Sequence, residues 1–379
     1  MAAARAIDDL AQLTPTLASL GWTERLDRWA EEVGPALTGS GEGPLVKGRL
    51  ARVNRGFSLV YTGGDALLAA SGTGRTGLGD APATGDFALV RLDPRDGPIL
   101  VALAERTTAL CRRAPGRLPE PQVLAANIDV VLVMHGLDRE LNLRRLERQL
   151  VVAWQSGARP VVVLTKADAV QDPEAAAAEL AGVAEGVEVL PLSVVTDHNL
   201  DRLRELVAPG QTMALLGVSG IGKSTLVNRL SNGQVQRTGE VRAGDHKGRH
   251  TTVTRDLIPL PDGRLVIDTP GVREIGLWQA HDGLARTFPE IDRVGAGCRF
   301  ADCEHQQEPG CAVRAAVARG LIPLRRLEHY RDLLVELVTQ DDQIEDRARR
   351  TEARARAEAE DQRDQVRPNR RTRDRSRRK

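Results

Sequence analysis

GVSGIGKST, residues Gly217–Thr225, is the stretch that decides the fold of this chain. The apolar run TMALL precedes it and the helix-like LVNRL follows it, so a strand, a glycine-rich loop and a helix come in succession. In this context the pattern is typical of a phosphate-binding loop, because backbone amides and a helix N-terminus then face the phosphates. We expect Lys223 to neutralise the β- and γ-phosphate charges of a nucleotide and Ser224 to bind magnesium.

Three other nucleotide motifs surround this loop in an unusual order. A base-reading TKAD, Thr165–Asp168, and a loop at Ser193 come first, whereas HTT, His250–Thr252, and DTPG, Asp268–Gly271, follow. An ordinary GTPase begins with the phosphate-binding loop and ends with the base-reading loop. Nucleotide loops converge at the carboxyl edge of a parallel sheet in any chain order, so the rotated order leaves the site intact. The sequence therefore predicts a central α/β domain that is a circularly permuted P-loop GTPase.

The TKAD motif predicts the base that is bound. It follows the apolar run VVVL, which places Asp168 at the end of a strand, where its carboxylate can accept two hydrogen bonds from guanine but not from adenine. Thr165 stands where asparagine is usual and supplies no amide, so we expect guanine specificity with weaker binding. Ser193 would support the base from a second loop; the alternative is an ordinary serine at a strand end.

The DTPG and HTT motifs predict the magnesium site and the sensor of the γ-phosphate. Asp268 can hold the magnesium shell, the Gly271 amide can contact the γ-phosphate, and Thr251 or Thr252, of which we favour Thr252, can complete the coordination. Magnesium is thus predicted on Ser224, Thr252 and Asp268. The full set of predicted nucleotide-binding residues is Thr165, Lys166, Ala167, Asp168, Ser193, Gly217, Val218, Ser219, Gly220, Ile221, Gly222, Lys223, Ser224, Thr225, Thr252, Asp268 and Gly271.

Val272 raises the question of how water is activated. It follows DTPG at the position where many GTPases carry a glutamine that orients the attacking water, and a valine cannot do so. His250 is the best titratable candidate for this catalytic task, because it lies in the segment next to the phosphates. The alternative is that His250 only packs or contacts a partner.

Three cysteines and a histidine cluster near the C-terminus, as CxxxxCxHxxxxxC. Cys298, Cys303, His305 and Cys311 offer three thiolates and one imidazole, a full tetrahedral set for structural zinc with no open position for a reactive water. We predict one zinc ion per chain, which would hold an irregular loop that lacks a core of its own.

Changes in composition and residue pattern along the sequence divide the chain into five predicted parts. Residues 1–44 resemble an extension and linker, and 45–113 carry the short alternating runs of a small, arginine-rich barrel. This barrel would face nucleic acid, or would serve as a docking or packing module. Residues 118–280 alternate strands and helices, 281–345 hold the Cys/His cluster and an amphipathic helix, and 346–379 form a charged helix and a basic, disordered tail.

Composition limits the class of protein. The chain has 379 residues, a net charge of +1 and 3% aromatic residues, so any RNA contact should run through phosphates rather than through stacked bases. Only five of its 53 basic residues are lysine, and three of the five lie in or beside nucleotide motifs. We see neither a signal peptide nor an apolar run of roughly 20 residues, and predict a cytoplasmic protein with no membrane partner.

Together these motifs resemble the bacterial ribosome-small-subunit-dependent GTPase A family. The resemblance covers roughly residues 46–338, through QVLAANIDVVLVM, GVSGIGKSTLVN, GRHTT, DTPGVREIGLW and CRFADCEHQQEPGCAV. It implies an OB-fold for the N-terminal β-barrel, a permuted GTPase domain and a C-terminal α-helical zinc-binding domain. It also implies a role in late assembly of the small ribosomal subunit with its rRNA, GTP hydrolysis stimulated by that subunit, and release afterwards. The family's suspected catalytic histidine corresponds to His250.

Two other functions compete with this interpretation. One is an RNA-binding scaffold in which GTP mainly stabilises the fold. The other is a phosphate-loop ATPase or metabolite kinase, which TKAD and the lack of a second-substrate motif disfavour. We expect a monomer that binds GTP and GDP.

Overall fold

The computed structural model describes residues 15–38, 43–71, 80–113, 121–233, 255–268 and 277–366, without the side chains of 347, 348 and 350–366. The strands are β1 Leu45–Asn54, β2 Phe57–Tyr61, β3 Ala66–Ala70, β4 Phe87–Asp93, β5 Gly97–Leu103, β6 Ala109–Arg113, β7 Pro121–Ala126, β8 Val130–Gly136, β9 Arg159–Thr165, β10 Glu188–Leu192, β11 Thr212–Leu216, β12 Asp256–Pro259 and β13 Leu265–Asp268. The α-helices are α1 Glu24–Thr38, α2 Leu143–Gln155, α3 Pro173–Ala181, α4 Leu200–Leu206, α5 Lys223–Leu230, α6 His281–Thr287, α7 Pro289–Gly295, α8 Ala312–Ala318 and α9 Leu324–Val366.

The first five strands form a closed barrel in the order β1-β2-β3-β5-β4. Neighbouring strands are antiparallel except β3 and β5, which are parallel, and this topology is that of an OB-fold. The alternating apolar residues of the sequence fill its interior because successive side chains of a strand point to opposite faces. The buried interior residues are Leu50, Val60, Ala69, Ala88, Val90 and Leu100.

The described part of the predicted N-terminal extension packs on the outside of this barrel. Trp22 and Leu26 are buried against Phe87, and the rings of Trp22 and Phe87 meet edge to face with centroids 5.7 Å apart. Asp27 accepts hydrogen bonds from Trp22 Nε1 (2.9 Å) and Lys47 Nζ (2.6 Å). Helix α1 is therefore joined to the barrel by an apolar contact and an ion pair.

A six-stranded sheet forms the centre of the molecule, in the order β10-β9-β8-β11-β13-β12. All neighbours are parallel except β12, which runs antiparallel to β13 at the edge. Helix α2 packs on one face through Leu146 and Leu150, and α4 and α5 pack on the other through residues such as Leu203 and Leu226. Burial on both faces explains why these strands read as continuous apolar runs.

One buried arginine joins the barrel to the rest of the chain. Arg49 of β1 is 1% exposed and donates hydrogen bonds to the carbonyls of Leu20 (2.8 Å), Gly85 (3.1 Å) and Asn127 (2.8 Å). Its guanidinium also lies over the Phe87 ring, 4.6 Å from the centroid. Burial lowers the pKa of Arg49 to about 10, so it is charged at neutral pH. Three segments of the chain thus meet at a single side chain.

The C-terminal part is helical and contacts the central domain through α9. Leu327 and Leu337 are buried on the apolar face of this helix, as its periodicity predicts, with Tyr330 and Leu334 partly buried beside them. Ion pairs join it to α2: Arg148 binds Glu336 in a bidentate manner (2.5 and 2.8 Å). A second set, also to α2, places Arg326 2.7 Å and His329 2.5 Å from the buried Glu147.

The prediction of a multidomain chain with an OB-fold barrel, a permuted α/β domain and a helical domain that carries a Cys/His cluster is confirmed. Among the helices that the structure describes, none is both long enough and apolar enough to cross a membrane.

Candidate nucleotide-binding and metal sites

The described residues of the motifs predicted to bind nucleotide converge at one edge of the central sheet. TKAD begins at the last residue of β9, Ser193 follows β10, the phosphate-binding loop follows β11, and Asp268 ends β13. These four strands run parallel and in register, so their carboxyl ends lie at the same edge. A crevice at this edge is where open α/β sheets bind ligands. The rotated order of the motifs in the chain therefore assembles an ordinary site.

The phosphate-binding loop has the backbone that its sequence predicts. Gly222 precedes α5 with φ of +104°, a conformation that side chains other than glycine rarely adopt. Lys223 begins the helix, and its Nζ donates to the carbonyls of Gly217 (2.7 Å) and Val218 (3.0 Å). Burial lowers the pKa of Lys223, and the negative charge of Asp268 partly opposes that shift. A cation is thus held inside the loop, facing the carboxylate at the end of β13.

The other loop residues differ in exposure. Ile221 is buried under the loop and anchors it to the apolar core beneath the sheet. Ser219 and Gly220 are exposed at the tip, and Ser224 lies half-buried in the first turn of α5 with Thr225 exposed after it. The exposed tip and the half-buried serine leave the loop accessible to a ligand from the solvent side.

Thr165 ties the base-reading loop to the phosphate-binding loop. Its hydroxyl is buried, 2.8 Å from the carbonyl of Ile221 and 3.1 Å from that of His135. A hydroxyl carries one hydrogen, so the two carbonyls share it. The sequence shows only that Thr165 lacks an amide; the structure shows that its hydroxyl joins two loops of the site.

Asp168 and Ser193 form a pair at the edge where guanine would be read. The hydroxyl of Ser193 donates to the Asp168 carboxylate and itself accepts from the N–H groups of Val195 and Thr196, both at 3.2 Å. Ser193 is fully buried while Asp168 is exposed, so the carboxylate is oriented from below and faces outward. Ser193 is therefore brought to the predicted site and contacts Asp168, the residue predicted to read guanine.

Asp138 is a site residue that the motifs did not reveal. It follows β8, between β9 and β11 in the sheet, and its carboxylate lies 2.6 Å from Nζ of Lys166. Hydrogen bonds from Arg139 and then from Lys166 lower the pKa of Asp138 to about 2, so it is ionised at every physiological pH. Lys166 has a left-handed backbone (φ +59°), and Ala167 after it is buried. An acid just after an apolar strand was the signal that could have identified Asp138.

Several predicted site residues lie outside the described residues. They are His250, Thr251, Thr252, Gly271 and Val272. Their roles stay predictions.

The Cys/His cluster is brought together by the loop between α7 and α8. One ligand atom from each of Cys298, Cys303, His305 and Cys311 lies within 4.8 Å of the others. The Sγ atoms of Cys298 and Cys311 are 3.9 Å apart, and each is 3.6 Å from Nδ1 of His305. Burial lowers the pKa of His305, which favours the neutral imidazole that a metal needs.

These distances fit a tetrahedral zinc ion. Bonds of about 2.3 Å to sulfur and about 2.0 Å to nitrogen would separate two sulfurs by about 3.8 Å, and sulfur from nitrogen by about 3.5 Å. Backbone N–H groups also point at the sulfurs: Ala312 N lies 3.3 Å from Cys298 and Arg314 N 3.4 Å from Cys311. Burial alone raises the pKa of Cys298, but the backbone amides of Val313 and Ala312 and the neighbouring thiols of Cys303 and Cys311 outweigh it and lower the pKa. The cluster can therefore hold a metal on thiolates.

Comparison with known proteins identifies the family. The model of the RsgA GTPase family matches residues 103–278. The chain is 43% identical over 348 residues to the "Small ribosomal subunit biogenesis GTPase RsgA" of Streptomyces coelicolor, covering 90% of each protein. It is 38% identical over 326 residues to the protein of the same name from Methanosarcina acetivorans, covering 86% of this chain and 88% of that protein.

Two solved structures share the fold. YloQ, described as a circularly permuted GTPase, superposes with a TM-score of 0.56 at 22% identity, over 78% of this chain and 96% of that one. YjeQ from Thermotoga maritima superposes with a TM-score of 0.57 at 24% identity, over 78% and 99%. The rotated motif order and the 38% and 43% sequence identity to RsgA proteins, over 86% and 90% of the chain, place the protein in the RsgA family of circularly permuted GTPases.

Proposed function

We propose that this GTPase acts in late assembly of the small ribosomal subunit, hydrolysing GTP with magnesium when the subunit stimulates it and then dissociating. The observation that carries the proposal is the meeting of TKAD, Ser193, the phosphate-binding loop and Asp268 at one sheet edge, in a chain 43% identical to a small-subunit biogenesis GTPase. GTP hydrolysis follows from the family. Stimulation by the small subunit, binding to its rRNA and the dependence of hydrolysis on magnesium are what we propose beyond the family.

The roles that we propose within the site are supported by the geometry of its described residues and by the sequence motifs. Lys223 would neutralise phosphate charge, and Asp168, oriented by Ser193, would read guanine. Magnesium would lie between Ser224, Thr252 and Asp268, and would stabilise the charge that develops on the transferred phosphate. His250 would orient the attacking water, with help from the subunit.

The remaining parts receive structural and recognition roles. We propose that the chain consists of the five parts predicted from its sequence. The barrel would be an rRNA-facing module, and the Cys/His cluster would be a structural zinc site in the helical domain. Zinc would be bound by Cys298, Cys303, His305 and Cys311, whose spacing suits it. We further propose that the protein works as a monomer in the cytoplasm.

Turnover of GTP with and without purified small subunits tests the proposal. We expect slow turnover by the free protein and a large increase with small subunits, but not with large subunits. Equal rates in all three mixtures would contradict it. A variant that binds GTP but cannot hydrolyse it separates the switch from the scaffold: a scaffold would still support subunit assembly with that variant.

Replacing Asp168 by asparagine should change the preferred base. The amide keeps one acceptor but offers a donor to the 2-amino group of guanine, so GTP affinity should fall by about 10- to 100-fold, the loss expected for hydrogen bonds to a charged group. Xanthosine triphosphate has an acceptor oxygen in place of the 2-amino group of guanine and should bind to the variant better than GTP does. Equilibrium binding of both nucleotides measures this, with Asp201→Asn, an exposed acid on α4, as the control. An unchanged preference would remove Asp168 from the base site.

Replacing Cys311 by serine should release the metal. We expect about one zinc ion per chain in the unmodified protein and nearly none in the variant, because a structural zinc site needs all four ligands. The C-terminal helices should melt at a lower temperature, whereas nucleotide binding should persist. Elemental analysis and thermal unfolding measure the two effects, and Cys111→Ser, in β6 outside the cluster, is the matched control. Full zinc content in Cys311→Ser would contradict the assignment.

A further inference from the structure

The barrel binds the strand that follows the HTT segment. Arg52 of β1 makes a bidentate ion pair with Asp256, the first residue of β12, at 2.5 and 2.7 Å. Thr84, in the loop before β4, donates its hydroxyl to the carbonyl of Arg255 at 3.1 Å. Strand β1 and the loop before β4 therefore contact the consecutive residues Arg255 and Asp256. His250 precedes Arg255 by only five positions in the sequence.

A bulge in the barrel lies directly beside this contact. The pairing of β1 with β2 shifts register between Leu50 and Arg52. Such bulges bend a strand and redirect its side chains, and they are common at barrel rims and near functional sites. In regular pairing the side chains of Leu50 and Arg52 would face the same way. Here Leu50 points into the barrel core, whereas Arg52 reaches outward to β12.

Asp256 is also the direct neighbour of the predicted magnesium ligand. In the antiparallel pairing of β12 with β13, Asp256 lies opposite Asp268. Side chains of opposite residues lie close together on the same face of the sheet, and like charges there repel each other. The guanidinium of Arg52 neutralises Asp256, and the two partners are 24% and 30% exposed. Through Asp256, Arg52 therefore influences both the start of β12 and the charge beside Asp268.

Barrel and sheet are closely packed at this place. Gly85 has φ of +95°, and a Cβ atom on it would lie 2.2 Å from the carbonyl oxygen of Ala126 and 3.0 Å from Ile267. Its own carbonyl accepts from the buried Arg49. Closely packed interiors have low compressibility and transmit small displacements from one element to the next. A movement of the barrel would therefore displace Arg255 and Asp256.

We propose that Arg52 is a positioning residue that couples what the barrel binds to GTP hydrolysis. It acts through Asp256, by holding the strand between the HTT segment and Asp268 and by balancing the charge beside Asp268. The inference rests on the proposed function, since the occupant of the barrel is the small subunit in that scheme. Coupling between two binding sites is reciprocal: if barrel occupancy changes the affinity for nucleotide, nucleotide binding changes the affinity of the barrel for its occupant by the same factor.

The stimulation ratio, turnover with small subunits divided by turnover without them, tests the coupling. In Arg52→Gln and in Asp256→Asn we expect this ratio to fall by about fivefold or more, the usual lower limit of allosteric coupling. Arg52→Lys, which keeps the positive charge, should retain part of the stimulation by small subunits. Lys47→Gln is the matched control, because Lys47 lies on the same strand but pairs with Asp27 of α1 at 2.6 Å. Its ratio and basal turnover should match those of the unmodified protein.

Hydrogen exchange gives a second readout that needs no subunits. In the unmodified full chain, a non-hydrolysable GTP analogue should change amide exchange in β1, and Arg52→Gln should lose this response while Lys47→Gln keeps it. Loss of either response in Arg52→Gln or Asp256→Asn supports the proposal. Retention of both responses in both variants overturns it and leaves the ion pair a structural contact. If subunits fail to stimulate the unmodified protein, the proposed function fails, and the exchange response alone then decides the coupling.

Discussion

Replacing Lys223 by alanine will lower GTP affinity by about 30- to 1,000-fold, the cost of truncating one partner of a desolvated charge pair. The ammonium is half-buried and is held in the loop by the carbonyls of Gly217 and Val218, at 2.7 and 3.0 Å. Without it, the phosphate charges would meet the loop carbonyls and Asp268 with no ammonium group between them. Equilibrium binding of a fluorescent GTP analogue measures the loss.

Arg229→Ala is the control for Lys223→Ala. Arg229 lies on the same helix, α5, and its ion pair with Asp197 is exposed, so its removal should leave GTP affinity close to that of the unmodified protein. Lys223→Arg should not restore binding fully, because a guanidinium is planar and larger than a compact ammonium. If Lys223→Ala bound GTP as tightly as the unmodified protein, the phosphates would have to lie elsewhere.

Replacing His250 by alanine will remove most of the acceleration that small subunits provide. We expect a fall of about 10²- to 10⁴-fold in stimulated turnover, the usual contribution of a positioned acid–base group. GTP affinity should stay nearly unchanged, because the histidine would act in the transition state and not in ground-state binding. Single-turnover hydrolysis with saturating subunits, together with nucleotide affinity, separates the two quantities.

His281→Ala is the control for His250→Ala. His281 is half-exposed, pairs with Asp341 of α9 and belongs to none of the predicted nucleotide motifs. Its removal should leave stimulated turnover intact. Should His250→Ala hydrolyse GTP at the unmodified rate with subunits present, the histidine would be a docking or packing residue. A group supplied by the ribosome would then be the leading candidate for orienting water.

Features of this protein that depend on a local sequence pattern could be predicted, whereas features that depend on tertiary packing could not. The phosphate-binding loop, TKAD, DTPG and the Cys/His cluster are short patterns whose residues are chemically constrained at fixed spacing, so they could be recognised one at a time. The barrel was predictable because strand alternation marks which side chains enter its core. The packing of α1 on the barrel was not, since an amphipathic helix does not specify the surface that it covers.

The sequence by itself determined the family and the permuted order of the motifs, and it predicted the residues that would carry the chemistry, because these features depend on residue type and short spacing. Only the tertiary structure decided that Thr165 links two loops, that Asp138 binds Lys166 and that Arg49 joins three segments. It alone also decided the pairing of Arg52 with Asp256, 204 residues apart along the chain. Nothing local separates Arg52 from the many other arginines of this chain. Its partner is selected by how the barrel docks on the sheet, and that depends on the packing of the two domains as a whole.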